Sequence, residues 1–214
     1  MIDNSIPWPR KGDRLFKEDE DFLKNPRLFS LFGCSEKWYL YPRGYLRAAD
    51  LLVEHIIKDR TERNFLVYPI VFLYRHYIEL ELKEFIRDGN DFLDKSENFP
   101  ACHNLDELWR RCKEIIEKIE ELEPEVPKEA LDSMEELIHQ FSKVDSDSTA
   151  FRYPTDKNEK PLLKDLSYID IENLKEVMSR IDKFLNDVGN YIDYQREMKA
   201  EMKAEMEAEY GDSF

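Results

Sequence analysis

Two short segments concentrate the side chains that could do chemistry. YRHYIELELK, Tyr74 to Lys83, sets Arg75, His76, Glu79 and Lys83 among aromatic and aliphatic residues; VDSDSTAFRYP, Val144 to Pro154, does the same with Asp145, Asp147, Arg152 and Tyr153. A charged group in apolar surroundings must be paired or must be working. On a helix Arg75, Glu79 and Lys83 stand four apart, so the acid can bridge two bases, and His76 has Glu79 three places on. Two readings are open. One is a polar pocket in which His76 serves as acid, base or ligand contact; the other is an ion-pair ladder that orients a helix in its bundle. In the second segment Pro154 pushes the residue before it toward extended backbone, which aims Arg152 and Tyr153 in a set direction. Arg152 can be a fork for phosphate or carboxylate. The reading favoured here is a loop anchored by Phe151 and Tyr153, with Arg152 paired to an aspartate or to Glu79. His103 follows Cys102 ahead of a helix start. Two adjacent ligand types without a second pair do not make a metal site, so a capping role is expected, with no metal and no cofactor.

The elements that must position these residues are helical. Only 6 glycines and little alternating apolar pattern argue against a sheet-rich fold, while several stretches repeat apolar residues at helical spacing. A first helix is expected from about Arg43 to Lys58, with Leu46, Ala49, Leu52, Val53 and Ile56 in one stripe. A second, the central one, spans about Glu62 to Arg87, with Gly89 as its C-terminal stop. A third starts at Asn104, whose side chain can cap it with Glu107 three places on, and carries Leu105, Leu108, Trp109, Cys112, Ile115, Ile116 and Ile119 inward. A fourth opens after Pro127, and a polar loop from Ser142 to about Tyr168 follows. The last begins at Asp170 as N-cap and runs to about Tyr194. The expectation is an all-α up-and-down bundle of about five helices. Residues 1–42 read as an irregular N-terminal arm laid over the core, since prolines punctuate it yet Trp8, Phe16, Phe22, Leu28, Phe29, Phe32, Trp38 and Tyr39 are too apolar to float free. Residues 43–194 form the bundle. Residues 195–214, with EMKAEMKAEMEAEY, read as a solvated acidic helical tail; its methionines repeat every fourth residue, so a coiled-coil stripe would drift around the helix.

Composition narrows the function classes. At 214 residues, 42% hydrophobic, the chain can bury one sizeable core. Its 47 acidic residues against 32 basic ones leave a net charge of -15, which repels a phosphate backbone unless the bases gather on one face, so duplex DNA is a poor partner. Cys34, Cys102 and Cys112 are an odd number with no CxxC spacing, which fits a reducing compartment, and cytoplasm is the expected location. No stretch approaches the ~18 apolar residues of a membrane span, and the start has no signal-like run.

The order of these features resembles the HEPN superfamily, small prokaryotic helical domains found beside nucleotidyltransferases and in toxin-antitoxin and antiviral defence systems. The resemblance covers roughly Gly44 to Tyr194. It rests on a long helix ending in LELKEFI, similar to the family's EKALKALL, on HNLDELW, similar to HxLxxLL, and on FRYP, similar to the RYP before its last helix. It implies a HEPN-like bundle, a homodimer, and a binding or regulatory role, as sensor, antitoxin-like or scaffold component, with a protein partner. By position it carries over Lys83, His103, Arg152 and Tyr153 as a scaffold signature. Catalytic members are metal-independent ribonucleases in which Arg precedes His by four to six intervening residues. None of His55, His76, His103 and His139 has an arginine at that spacing; Arg47 and His55 come nearest, with too many residues between. The resemblance therefore does not bring the catalytic motif with it. A divergent ribonuclease would have to use Arg75, His76, His103 and Arg152, a histidine as general base and an arginine against the developing phosphorane charge. A third reading makes Arg75 and Arg152 clamps for a nucleotide or small anion. The binding set common to these readings is Arg75, His76, Glu79, Lys83, Asp145, Arg152 and Tyr153.

Overall fold

The computed structural model describes residues 8–16, 21, 23–26, 38–95, 100–120 and 126–211, with side chains as far as residue 208, Glu120 excepted. Among the described residues five α-helices follow one another: α1 (Leu40–Lys58), α2 (Arg63–Phe92), α3 (Leu105–Glu120), α4 (Lys128–Val144) and α5 (Ile171–Gly211). A 3-10 turn, Arg60–Glu62, joins α1 to α2. The described residues form an all-α bundle; their only extended pairing is a single bridge between Thr155 and Pro161. No helix among them is long and apolar enough to cross a membrane.

The chain divides into two compact units, residues 1–37 and 38–214. In the first, Asp13 and Arg10 close a turn through their backbones and through the Asp13 carboxylate, and Gly12 takes the left-handed φ of 102° that the turn requires. Phe22, Leu28, Phe29 and Phe32, expected to anchor the arm, lie outside the described residues. In the second unit α2 is central: it packs on α1, α3 and α5, and α4 packs on α3. The buried faces are the apolar stripes. Ala49, Val53 and Ile56 come from α1, Ile70, Tyr74, Ile78 and Leu82 from α2, and Met178, Ile181, Leu185, Val188 and Ile192 from α5. On α3 all seven residues of the predicted stripe are buried.

The starts of α3 and α5 are capped by side chains. The Asn104 side chain accepts from the Glu107 amide at 3.0 Å and Asp170 accepts from the Asn173 amide at 3.0 Å, which satisfies donors that a helix cannot pair internally. Gly89 departs from expectation. It does not stop α2, which continues to Phe92; it is a packing residue, because a Cβ there would stand 2.3 Å from Ile115 Cγ2 on α3. The two helices meet so closely at this point that only a hydrogen fits.

α5 runs unbroken into the tail. Arg196 reaches Asp91 at 2.7 Å, and Lys199 bonds the Phe92 carbonyl at 2.6 Å and pairs with Asp94 at 2.5 Å, so the tail is moored to the end of α2 before it leaves the bundle.

Candidate functional site

The two polar segments meet. From the middle of α2, Arg75 extends beneath the loop after α4: its Nε donates to the Asp145 carbonyl at 3.1 Å and lies 3.5 Å from the Asp145 carboxylate. Its Nη1 donates to Glu79 at 3.1 Å and its Nη2 to the His103 carbonyl at 2.8 Å. Lys83, one turn on, donates to Glu79 at 2.9 Å. The spacing of four thus produces the two-base bridge that it permits. Arg75 is fully buried, and Glu79, Lys83 and Asp145 are buried with it. Five donors in a planar fork suit a guanidinium to this junction of one helix and two loops, where several acceptors converge.

Asp145 works in two directions. One oxygen accepts from the Thr149 and Ala150 amides at 2.7 and 3.0 Å, shaping the turn that leaves α4, while the other faces Arg75. The loop is therefore a built structure. Phe151 and Ala150 bury against Val71 in a small second core that also takes in Leu162, Leu163 and Leu166. Phe151 anchors the loop as expected; Tyr153 does not, being 57% exposed. Nor does Arg152 pair with Glu79 or with an aspartate among the described residues. Its Nε donates to the Ser148 carbonyl, and its guanidinium lies 5.6 Å from the Phe72 ring and 5.7 Å from the Tyr153 ring.

His76 also departs from its expected partner. It packs edge-on to Tyr45 of α1 at 4.5 Å and stacks on Phe72 at 5.8 Å. Burial lowers its pKa, against the pull of nearby Glu79, so the ring is neutral at neutral pH. The imidazole that engages Glu79 is His103, with Nδ1 2.8 Å from Oε1 and the side chain 65% exposed. Burial pushes the Glu79 carboxyl upward, but the hydrogen bonds from Lys83 and His103 outweigh it and hold the pKa below the usual range. An ionised Glu79 can only accept a hydrogen bond, so His103 donates to it from Nδ1. This pair had only weak sequence signals: Asn104 as N-cap places His103 just outside α3, and nothing in the chain says that this point abuts Glu79.

The site has a dry side and a wet side. Arg75, Glu79, Lys83 and Asp145 lock α2, the start of α3 and the loop after α4 together. His103, Arg152 and Tyr153 face solvent, with His76 and Phe72 half-buried beneath them. Arg152 has no carboxylate within ion-pair distance among the described residues. Among those residues no group of three or more His, Cys, Asp or Glu could hold a metal ion. Comparison with protein-family models, with curated proteins and with solved structures found no match for this chain.

Proposed function

We propose that this chain is a HEPN-like helical protein that works by binding, as a homodimeric regulatory component of a bacterial defence or toxin-antitoxin module. The observation behind the binding reading is the dry, mutually paired state of Arg75, Glu79, Lys83 and Asp145. Charged residues paired with one another away from water hold a scaffold in register, and of the groups facing solvent Arg152 and Tyr153 suit recognition better than chemistry. The module itself rests on the resemblance of LELKEFI, HNLDELW and FRYP to that family. Affinity purification of the tagged protein from its native host tests it. A stoichiometric partner, lost in Arg152→Ala and Tyr153→Ala but retained in a distant surface variant, is the expected result; a chain that purifies alone at native expression counts against the reading.

One observation favours a second reading, a divergent metal-independent ribonuclease. A buried carboxylate that orients an exposed imidazole is the arrangement a general base needs, and Glu79 stands so to His103. Arg75 is not available to such a reaction, since it is fully buried, and Arg152 would have to meet the phosphate charge. Incubating the pure protein with a mixed RNA pool separates the two readings. Cleavage abolished by His103→Ala in a folded variant supports the second, and intact RNA removes it. The nucleotide-clamp reading keeps Arg152 alone of its two arginines, and a flat thermal-shift response to a nucleotide panel would dismiss it.

A further inference from the structure

Two features at opposite ends of α5 have no complement among the described residues. At the C-terminal end every residue from Ala200 to Ala208 is exposed. Met202 and Met206 lie four apart on one side of this tail, and Glu201 and Glu205 lie four apart beside them; Lys203 is the one base between Ala200 and Glu209. No cation lies within ion-pair distance of Glu201 or Glu205 among the described residues. An apolar stripe flanked by acid, lying just beyond the moorings at Arg196 and Lys199, needs a groove that is both apolar and basic.

At the N-terminal end lies a cleft of about 680 Å³ between the end of α1, the start of α2 and the stretch Ser167–Glu172. Its walls include Ile57, Tyr68 and Tyr168, all exposed apolar surface, and Arg60 and Arg63. Neither arginine has a carboxylate within ion-pair distance among the described residues. Of the two acids in the cleft, Asp170 is engaged as the cap of α5, which leaves Glu172 against two free guanidinium groups. Tyrosine and arginine beside open apolar surface is the composition of an interface centre.

The two features cannot meet within one copy. From Ile171, at the edge of the cleft, to Met202 a continuous helix spans roughly 45 Å at ~1.5 Å per residue, so the tail points away from its own cleft. A second copy with its α5 antiparallel brings each tail to the other's cleft, and the arrangement closes on a two-fold axis. We propose that two copies of this chain pair in this way, the Met202–Met206 face of each tail seated in the Arg60–Arg63 cleft of the other. This names the surface of the homodimer proposed above, and its test separates the two.

The test is a charge swap on exposed side chains, read by light scattering after size exclusion, with circular dichroism as the check on folding. The wild-type chain is expected to be dimeric. R60E/R63E alone and E201K/E205K alone each set like charges against one another at both contacts, and should dissociate at least about tenfold more readily. An equimolar mixture of the two variants makes both contacts complementary again and should regain the dimer. Removing residues 200–214 should give the monomer by a route that needs no substitution. A monomeric wild type overturns both this interface and the homodimer; a dimer that survives both variants, or a mixture that stays monomeric, overturns the interface and leaves the homodimer standing.

Discussion

His103 Nδ1 stands 2.8 Å from Glu79 Oε1, tying an exposed imidazole at the start of α3 to a carboxylate buried in the middle of α2. The same carboxylate receives Arg75 and Lys83, so one acid ties two turns of α2 to the start of α3. A single substitution there tests both the architecture and the chemistry proposed above.

Breaking the buried network from one side leaves a charge without its partner. Arg75→Met or Glu79→Leu alone is expected to cost about 3–5 kcal/mol in urea unfolding, whereas the two together should cost less than the sum of these single changes. Additive losses would show that the pair is not coupled.

Gly89→Ala sets two effects against each other. Helix propensity favours alanine by about 1 kcal/mol, but its Cβ would meet Ile115 Cγ2 at 2.3 Å. Overpacking of this kind costs about 1–3 kcal/mol, so the clash should win and the melting temperature should fall. Combining Gly89→Ala with Ile115→Ala removes the obstructing methyl, and a loss smaller than the sum of the two is expected.

The Glu81 and Glu84 carboxyls should add stability as pH falls from about 7 toward the ordinary carboxylate range. Burial raises the Glu81 and Glu84 carboxyls to about 7, above their unfolded value, with Arg43 and Arg87 opposing the shift. The folded chain therefore binds these protons more tightly, and their contribution is complete below the unfolded pKa and lost as pH rises through about 7. His76 acts in the opposite sense: its folded pKa is lowered, so its contribution is present above the unfolded value and lost below it. Comparing wild type with Glu81→Gln and Glu84→Gln isolates the carboxyls. The variants should be the more stable at pH 8 and should show a flatter dependence; an unchanged slope counts against the assignment.

The loop after α4 should open when its apolar anchor is cut. Phe151→Ala removes a buried ring from the second core, at a cost of about 3–5 kcal/mol if the loop and bundle unfold together. Limited proteolysis is the sharper measurement. Cleavage between residues 145 and 170 should accelerate in Phe151→Ala and stay near wild type in Tyr153→Ala, whose ring is exposed.

Helix identity and inward face were legible because both depend on neighbours in sequence. Apolar spacing picked out the stripes of α3 and α5, and Asn104 and Asp170 cap their helices through amides only three residues away. The bridge from Glu79 to Arg75 and Lys83 was legible for the same reason. Gly89 was not: the loss of Cβ that reads locally as a helix stop is required by Ile115, which belongs to another helix. Arg152 likewise had several carboxylates near it in sequence, and stacks instead on Phe72 of α2 and its own neighbour Tyr153.

By itself, then, the sequence determined an all-α chain, the faces its helices bury, and the charges that must be balanced one turn apart. Tertiary structure decided which imidazole Glu79 engages, which of the two arginines is dry, and that a basic cleft and an acidic tail end up at opposite ends of one helix. The physical reason is range. Helical periodicity and capping act over three or four residues, whereas the partner of a buried charge is chosen by which segments pack together, across separations in sequence that no local pattern records.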